Sequence, residues 1–128
     1  MKQQSTLEFF LRLPIAMSFL GHGLVRLPKI QAFSAGMAEQ FAASPLPYGL
    51  VLGFGYVLVV AEFLMGAWLI SGRGLRYALM AGLTTMTVLI FGSSLLENWN
   101  AVSVQLIHSI YLAALLARLN RHDRPLNR

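Results

Sequence analysis

Five ionisable side chains fall inside apolar stretches of this sequence, and they are the residues with the most chemistry to offer. They are Arg12, His22, Arg26, Glu62 and His108. A charged side chain at the centre of a membrane helix costs at least about 2.5–3.5 kcal/mol on insertion scales, so such residues pair, face the bundle interior or line a polar cavity. Each of the five is therefore a candidate functional residue.

Arg12 and Glu62 are expected to form an intramembrane ion pair. Arg12 lies roughly 8 Å from the inner end of the first predicted helix, and Glu62 roughly 12 Å from the inner end of the second. The two side chains reach similar depth, and pairing would neutralise two groups that are costly to bury alone. Such a pair could fix helix register only, or it could take part in chemistry; both alternatives stay open.

A second polar group is predicted in the outer half of the bundle, around two histidines. His22 and His108 each lie on the order of 10 Å from the outer ends of their helices. Arg26 follows His22 by one helical turn, and Gln105 and Tyr111 flank His108 on the same face. Phe33, from the segment between the first two spans, could add an aromatic wall. The candidate ligand-binding residues are His22, Arg26, His108, Gln105, Phe33 and Tyr111.

A quinone is the ligand that this set of residues fits best. Its carbonyl oxygens need hydrogen-bond donors, and its ring needs a flat, mostly apolar slot. The alternative is that both histidines are packing residues near the interface. A haem ligated by His22 and His108 is less favoured, and no metal site is expected because the pair has no further clear ligands. No catalytic residue is assigned.

Four apolar runs are long enough to position these residues across a membrane. They cover about residues 7–27, 48–70, 75–96 and 101–119, close to the ~20 residues that span a hydrocarbon core of ~30 Å. Short loops join the second run to the third and the third to the fourth, which predicts antiparallel neighbours. The sequence therefore predicts one domain over residues 1–128, an all-α four-helix transmembrane bundle.

A short amphipathic helix is predicted between the first two spans, over about residues 30–43. Ile30, Phe33, Met37 and Phe41 recur at spacings of three and four, which is typical of a helix with one apolar face. Because it is too short to span, we expect it at the interface or folded back over the mouth of the bundle. A plain connecting helix and a functional lid are both compatible with the pattern.

Composition places the chain in a lipid bilayer. Hydrophobic residues make up 56% of the sequence and charged residues only 12%, against roughly 25% charged residues in ordinary globular domains. The sequence has no cysteine, which excludes disulfides, thiolate-ligated zinc and iron–sulfur clusters carried by this chain. The net charge of +5 collects at helix ends rather than on one face, so we expect no nucleic-acid partner.

The basic residues also predict the orientation of the spans. With both termini in the cytoplasm, only Arg26 and Lys29 lie on the outer side, as the positive-inside rule requires. The residues of the inner side are Lys2, Arg73, Arg76, Arg118, Arg121, Arg124 and Arg128. The basic tail over residues 120–128 is expected to anchor the chain to lipid headgroups.

The pattern resembles that of the DoxX family, small membrane proteins of bacteria and archaea. The matching positions are spread over nearly the whole chain. They are Arg12, the run from Gly21 to Leu27 with His22 between two glycines, Phe33, Met37, Ala38, Phe41, Pro47, Glu62 and the turn Gly72-Arg73-Gly74. The family usually has lysine in place of Arg26, a change that keeps the charge and alters the hydrogen-bond geometry.

The resemblance implies a four-helix bundle in the cytoplasmic (inner) membrane, and it suggests a redox context. Members of the family are similar to a subunit of a thiosulfate:quinone oxidoreductase. The first functional hypothesis is therefore a quinone-associated subunit of a membrane redox complex, with protein partners and with a homo-oligomer as a further option. The alternatives are a non-enzymatic scaffold that recruits an oxidoreductase, and a small proton-coupled transporter that uses Glu62. In the last case a neighbouring cation would hold the carboxylate ionised, which argues against transport.

Overall fold

Helices account for most of the chain. The computed structural model describes the backbone of residues 2–123 and the side chains of residues 5–123. The helices are α1 (Lys2–Arg26), a 3₁₀ turn (Leu27–Lys29), α2 (Ile30–Gln40), α3 (Tyr48–Ser71), α4 (Leu75–Leu95) and α5 (Trp99–His122). Over the described residues there is no strand. The prediction of an all-α four-helix bundle is confirmed.

Four stretches are long and apolar enough to cross a membrane. They are Ser5–Gln40, Tyr48–Ser71, Leu75–Leu95 and Trp99–His122. The last three stretches begin close to the first residues of the predicted spans. The first stretch is longer than predicted, because it includes α1, the 3₁₀ turn and α2. The structure describes the predicted basic tail as far as Asp123, and residues 120–122 of that tail belong to α5. Residues 124–128 and the side chain of Lys2 lie outside the described part.

α1 and α3 pack with their backbones in contact, and glycine makes this possible. A Cβ atom on Gly23 would lie 2.6 Å from the backbone of Phe63, and one on Gly66 would lie 2.5 Å from the backbone nitrogen of Leu20. Both distances are too short for any side chain, so only glycine fits. Small residues at such points let membrane helices approach closely. The two contacts fix the antiparallel register of α1 against α3.

α2 packs along the first half of α3, where Ser34 lies against Gly55, rather than across the mouth of the bundle. A position at the membrane interface, the other predicted placement, stays a prediction. Pro28 stands at the start of the 3₁₀ turn, where its missing N–H costs no helical hydrogen bond. The helical path therefore continues from α1 into α2 with no long loop, and α2 ends at Gln40, a turn earlier than predicted.

α4 and α5 form the other side of the bundle and close a shared apolar core. Ala16 and Phe19 of α1, Leu69 of α3, Leu79 of α4 and Leu112 of α5 are all buried in it. The α3–α4 turn uses Gly72 and Gly74 in left-handed conformations, with φ of 69° and 57°, which glycine adopts at little cost. Asn98 begins α5, since its side chain accepts a hydrogen bond from the amide of Ala101.

The outer faces of the helices are apolar and exposed. Phe10, Val57, Ile107 and Ile110 each leave more than three-fifths of their surface uncovered. A soluble protein rarely exposes so much contiguous apolar surface, whereas a bilayer covers it without cost. The fold is therefore that of a multi-pass membrane protein. Tyr48, Trp68, Tyr77 and Trp99 are exposed near helix ends, where membrane proteins carry their interfacial aromatic residues.

Gly66→Ala should destabilise the bundle, because the added methyl group must push α1 away from α3. We expect the free energy of unfolding to fall by about 1–3 kcal/mol, the usual cost of overpacking. The matched control is Gly53→Ala on the same helix, where nothing lies within 4 Å of the new Cβ. Unfolding by denaturing detergent in mixed micelles measures both; equal losses for the two variants would contradict the close contact.

Candidate functional site

A cavity of about 770 Å³ separates the two sides of the bundle. α1, α2 and α3 line one side of it, and α4 and α5 line the other. Its lining runs from Leu50 to Glu62 on α3 and from Asn98 to His108 around the start of α5, so it is about 15–18 Å deep at 1.5 Å per helical residue. The volume falls within the range of roughly 300–1,000 Å³ that small-molecule sites occupy.

The walls of the cavity are mostly apolar and aromatic. Their larger side chains are Phe33, Met37, Phe41, Phe54, Leu58 and Met86. Phe19 and Met86 belong both to the cavity lining and to the buried core. The cavity therefore ends on packed side chains rather than continuing through the bundle. Its charged groups and imidazole rings lie near this closed end, whereas Gln40, Asn98 and Asn100 line the opposite end.

Arg26 and Glu62 form the ion pair at the closed end of the cavity. Nη1 of Arg26 donates a hydrogen bond to Oε2 of Glu62 at 2.7 Å, and the side chains are 26% and 6% exposed. The guanidinium carbon also lies 4.5 Å from the centre of the Phe33 ring, a cation–π distance. Phe33 thus packs against the charge that neutralises Glu62, and all three side chains line the cavity.

The predicted Arg12–Glu62 pair is wrong. Nε of Arg12 donates to the carbonyl of Leu69 at 2.8 Å, and Nη2 reaches the carbonyl of Ile70 at 3.5 Å. Leu69 follows Glu62 by about 10 Å along α3. Arg12 therefore satisfies carbonyl groups in the last turn of α3, which have no helical partner and carry the negative end of the helix dipole.

The Arg12–Glu62 prediction fails because α1 packs against α3 in a different register from the one assumed. The depth estimates placed the inner ends of the first two spans at the same level. In the structure α1 meets the last turn of α3 at Arg12, so the preceding residues of α1 extend beyond α3. Every residue of α1 therefore faces a later point of α3 than predicted, and Arg26 takes the place next to Glu62.

His22 and His108 share a site, with Ser18 between them. Their ring centres are 6.3 Å apart. Nδ1 of His22 lies 2.6 Å from the carbonyl oxygen of Ser18, and Oγ of the same serine lies 2.9 Å from Nε2 of His108. Nδ1 of His108 lies 2.9 Å from the carbonyl oxygen of Val104. One serine thus connects α1 to α5 and holds both rings at the cavity.

These contacts define the tautomer of each neutral ring. A carbonyl oxygen can only accept, so Nδ1 carries the hydrogen in both His22 and His108. Nε2 of neutral His108 is then an acceptor, and the Ser18 hydroxyl donates to it. Nε2 of neutral His22 is also an acceptor, and no group among the described residues bonds to it. His22 is exposed and lines the cavity.

The remaining candidates divide between the cavity and the core. Gln105 lines the cavity, and its Nε2 donates to Oγ of Ser93 at 2.9 Å, while its Oε1 is buried without a partner. Tyr111 does not line the cavity; its hydroxyl donates to the carbonyl of Leu11 at 2.7 Å. Tyr111 therefore joins α5 to α1 on the inner side, apart from the other candidate residues.

The geometry bears on the haem alternative as well. Both ring nitrogens of His108 are hydrogen-bonded, so an iron ligated by the two histidines would have to displace Ser18 or Val104. Over the residues with described side chains, no group of three or more His, Cys, Asp or Glu residues could hold a metal ion. The site is built for hydrogen bonds and charge, with one unengaged imidazole nitrogen.

Two serines organise the cavity, and the sequence identified one of them in part. Ser18 lies one turn before His22 on the same helical face, but nothing in a single sequence shows that its hydroxyl reaches His108. Ser93 gave no signal at all.

Comparison with known proteins adds no constraint, because no family model, no curated protein and no solved structure matches the chain.

Arg26→Met should be strongly destabilising, because it leaves the buried Glu62 carboxylate without its partner. We expect a loss of about 3 kcal/mol in the free energy of unfolding, typical of a broken buried ion pair. The double variant Arg26→Met/Glu62→Leu should recover most of that loss, since no charge is left unpaired. Unfolding in mixed micelles provides the measurement.

The control is Arg76→Met, which removes the exposed Arg76–Asp123 pair at 2.9 Å and should cost less than about 1 kcal/mol. Arg12→Met combined with Glu62→Gln should give additive losses, because the two residues do not touch. Strong coupling between Arg12 and Glu62, with none between Arg26 and Glu62, would contradict the pairing described above.

Proposed function

We propose that the protein is a DoxX-like membrane subunit that binds a quinone in the cavity and serves a membrane redox complex. The observation that carries the proposal is the cavity itself, which combines aromatic and aliphatic walls with a polar closed end. A lipid-soluble molecule with a flat polar ring matches this division, since the ring oxygens can meet Arg26 and His22 while the tail stays among apolar side chains.

The size and the donor groups of the site support a quinone over a lipid tail alone. A hydrocarbon chain would fill the apolar walls and leave the charged end unused. Arg26 gives one N–H to Glu62 and has further N–H groups for a ring oxygen, since a guanidinium carries five. The pair with Glu62 keeps the local charge balanced, so a neutral ligand suits this end of the cavity better than an ion.

We further place both termini in the cytoplasm of a bacterial or archaeal cell, with the protein in the cytoplasmic membrane. The support is the distribution of arginines. Arg76 pairs with Asp123, so the start of α4 and the end of α5 lie at the same end of the bundle. Arg73, Arg118 and Arg121 belong to these segments, and this arginine-rich end is the one that the positive-inside rule assigns to the cytoplasm.

A non-enzymatic scaffold is the second candidate. The arginine-rich end favours it, because Arg73, Arg76, Arg118 and Arg121 are exposed there and an acidic partner could dock on them. A proton-coupled transporter has less support. Glu62 is paired with Arg26 rather than free to carry a proton, and the cavity ends on the packed core.

Val104→Trp should empty the cavity of quinone. Val104 lines the cavity and is half exposed, while Ile107, one turn further along α5, does not line it. An indole at position 104 occupies ligand space, so quinone bound per protein should fall at least about fivefold; Ile107→Trp points to lipid and should leave it unchanged. The measurement is mass spectrometry of quinones extracted from protein purified in nanodiscs, with empty nanodiscs subtracted.

If the wild-type protein carries no quinone beyond that of empty nanodiscs and takes up none when it is added, the proposal fails and the scaffold becomes the better hypothesis. Equal loss of quinone from both tryptophan variants would also count against the cavity as the binding site. Retention by Ile107→Trp with loss from Val104→Trp is the expected pattern.

A further inference from the structure

One imidazole nitrogen at the site, Nε2 of His22, has no hydrogen-bond partner among the described residues. Three of the four imidazole nitrogens at the site are already hydrogen-bonded within the protein. Nε2 of His22 is the remaining one. Since Nδ1 of His22 must donate to the carbonyl of Ser18, Nε2 of the neutral ring is restricted to accepting a hydrogen bond.

An acceptor at this point discriminates between a hydroxyl and a carbonyl. A ring hydroxyl donates to Nε2, whereas a ring carbonyl would place its own lone pairs against those of the nitrogen. Placing two acceptors face to face costs the hydrogen bonds that each would otherwise make. A site that hydrogen-bonds a hydroxyl therefore rejects an analogue without one.

The neighbouring charged groups do not cancel this preference. Arg26 donates only, so it can bond the oxygen of a hydroxyl or of a carbonyl equally well. The Glu62 carboxylate, an acceptor, is paired with Arg26, and Nε2 of His108 is occupied by Ser18. Of the imidazole nitrogens around the closed end of the cavity, Nε2 of His22 is the one without a partner among the described groups, and Arg26 can bond either state.

We propose that the cavity selects the reduced, hydroxyl-bearing state of its ring ligand, a quinol, and that Nε2 of His22 accepts the hydrogen bond from that hydroxyl. This inference rests on the proposed quinone site and names the state that binds there. It concerns recognition alone, with no transfer of a proton or an electron. The Ser18 carbonyl acts as the positioning group, because it holds the His22 ring in the tautomer that accepts.

The rigidity of the pair supports the selection. Ser18 is held from both sides, through its carbonyl by His22 and through its hydroxyl by His108. Turning the His22 ring over to present an N–H to the cavity would break the 2.6 Å hydrogen bond to the Ser18 carbonyl. The contacts that build the site therefore favour the tautomer that accepts at Nε2.

The test compares the two redox states of one probe. The full-length protein in nanodiscs is titrated, without oxygen, with a benzoquinone that carries a ten-carbon chain and with the same compound after reduction. Calorimetry gives both dissociation constants after subtraction of empty nanodiscs. We expect the quinol to bind about tenfold more tightly, the effect of one satisfied against one unsatisfied hydrogen bond.

His22→Phe removes the acceptor and keeps a ring of similar shape. It should bring the two affinities to within about twofold of each other, mainly by weakening the quinol. The matched control is His122→Phe at the exposed end of α5, outside the cavity, which should keep the wild-type preference. Thermal unfolding of both variants confirms that each is folded.

Four results would overturn the inference, and they separate it from the proposed function. Equal binding of both states by the wild-type protein, or an unchanged preference in His22→Phe, leaves a quinone site but removes the role of His22. Tighter binding of the oxidised state reverses the assignment of His22 as an acceptor. Binding of neither state removes the quinone site itself, and with it both proposals.

Discussion

The backbones of α1 and α3 touch at Gly23 and Gly66, and this contact sets which groups of α3 the two arginines of α1 meet. A bulkier residue at either glycine would collide with the facing backbone, so the register has little freedom. With that register, Arg12 meets the carbonyl end of α3, and Arg26 meets Glu62. Two arginines on one helix thus have separate partners, a helix end and a carboxylate.

The ion pair and the path of α2 follow from the same constraint. Because α1 ends beside Glu62, the first half of α3 is left for α2 to cover, and α2 brings Phe33 over Arg26. The packing of α1 and α2 against α3 therefore forms the aromatic wall, the Arg26–Glu62 pair and this side of the cavity together. α5 completes it through His108, which reaches Ser18 across the bundle. A membrane interior makes each of these polar contacts costly to leave unmade.

Much of the fold could be predicted from the sequence, because a lipid bilayer places strict demands on the length and the ends of each helix. Long apolar runs and the basic residues at their ends follow directly from the needs of a bilayer. The pairing of Glu62 could not be predicted, because hydropathy reports length and not register, and the glycines show where helices touch but not which ones. The contact of Tyr111 could not be predicted for a similar reason: its spacing from His108 puts both on one helical face, yet the tyrosine reaches Leu11 instead.

We propose that a ring ligand occupies the cavity between the two sides of the bundle, against Arg26 and His22. Photo-crosslinking with an azido-benzoquinone in nanodiscs, followed by peptide mass spectrometry, tests this most directly. We expect labels on cavity residues from different helices, such as Phe33, Met37 and Met86, and competition by unlabelled quinone. Labels confined to outward-facing residues such as Ile107 and Ile110, with no competition, would contradict it.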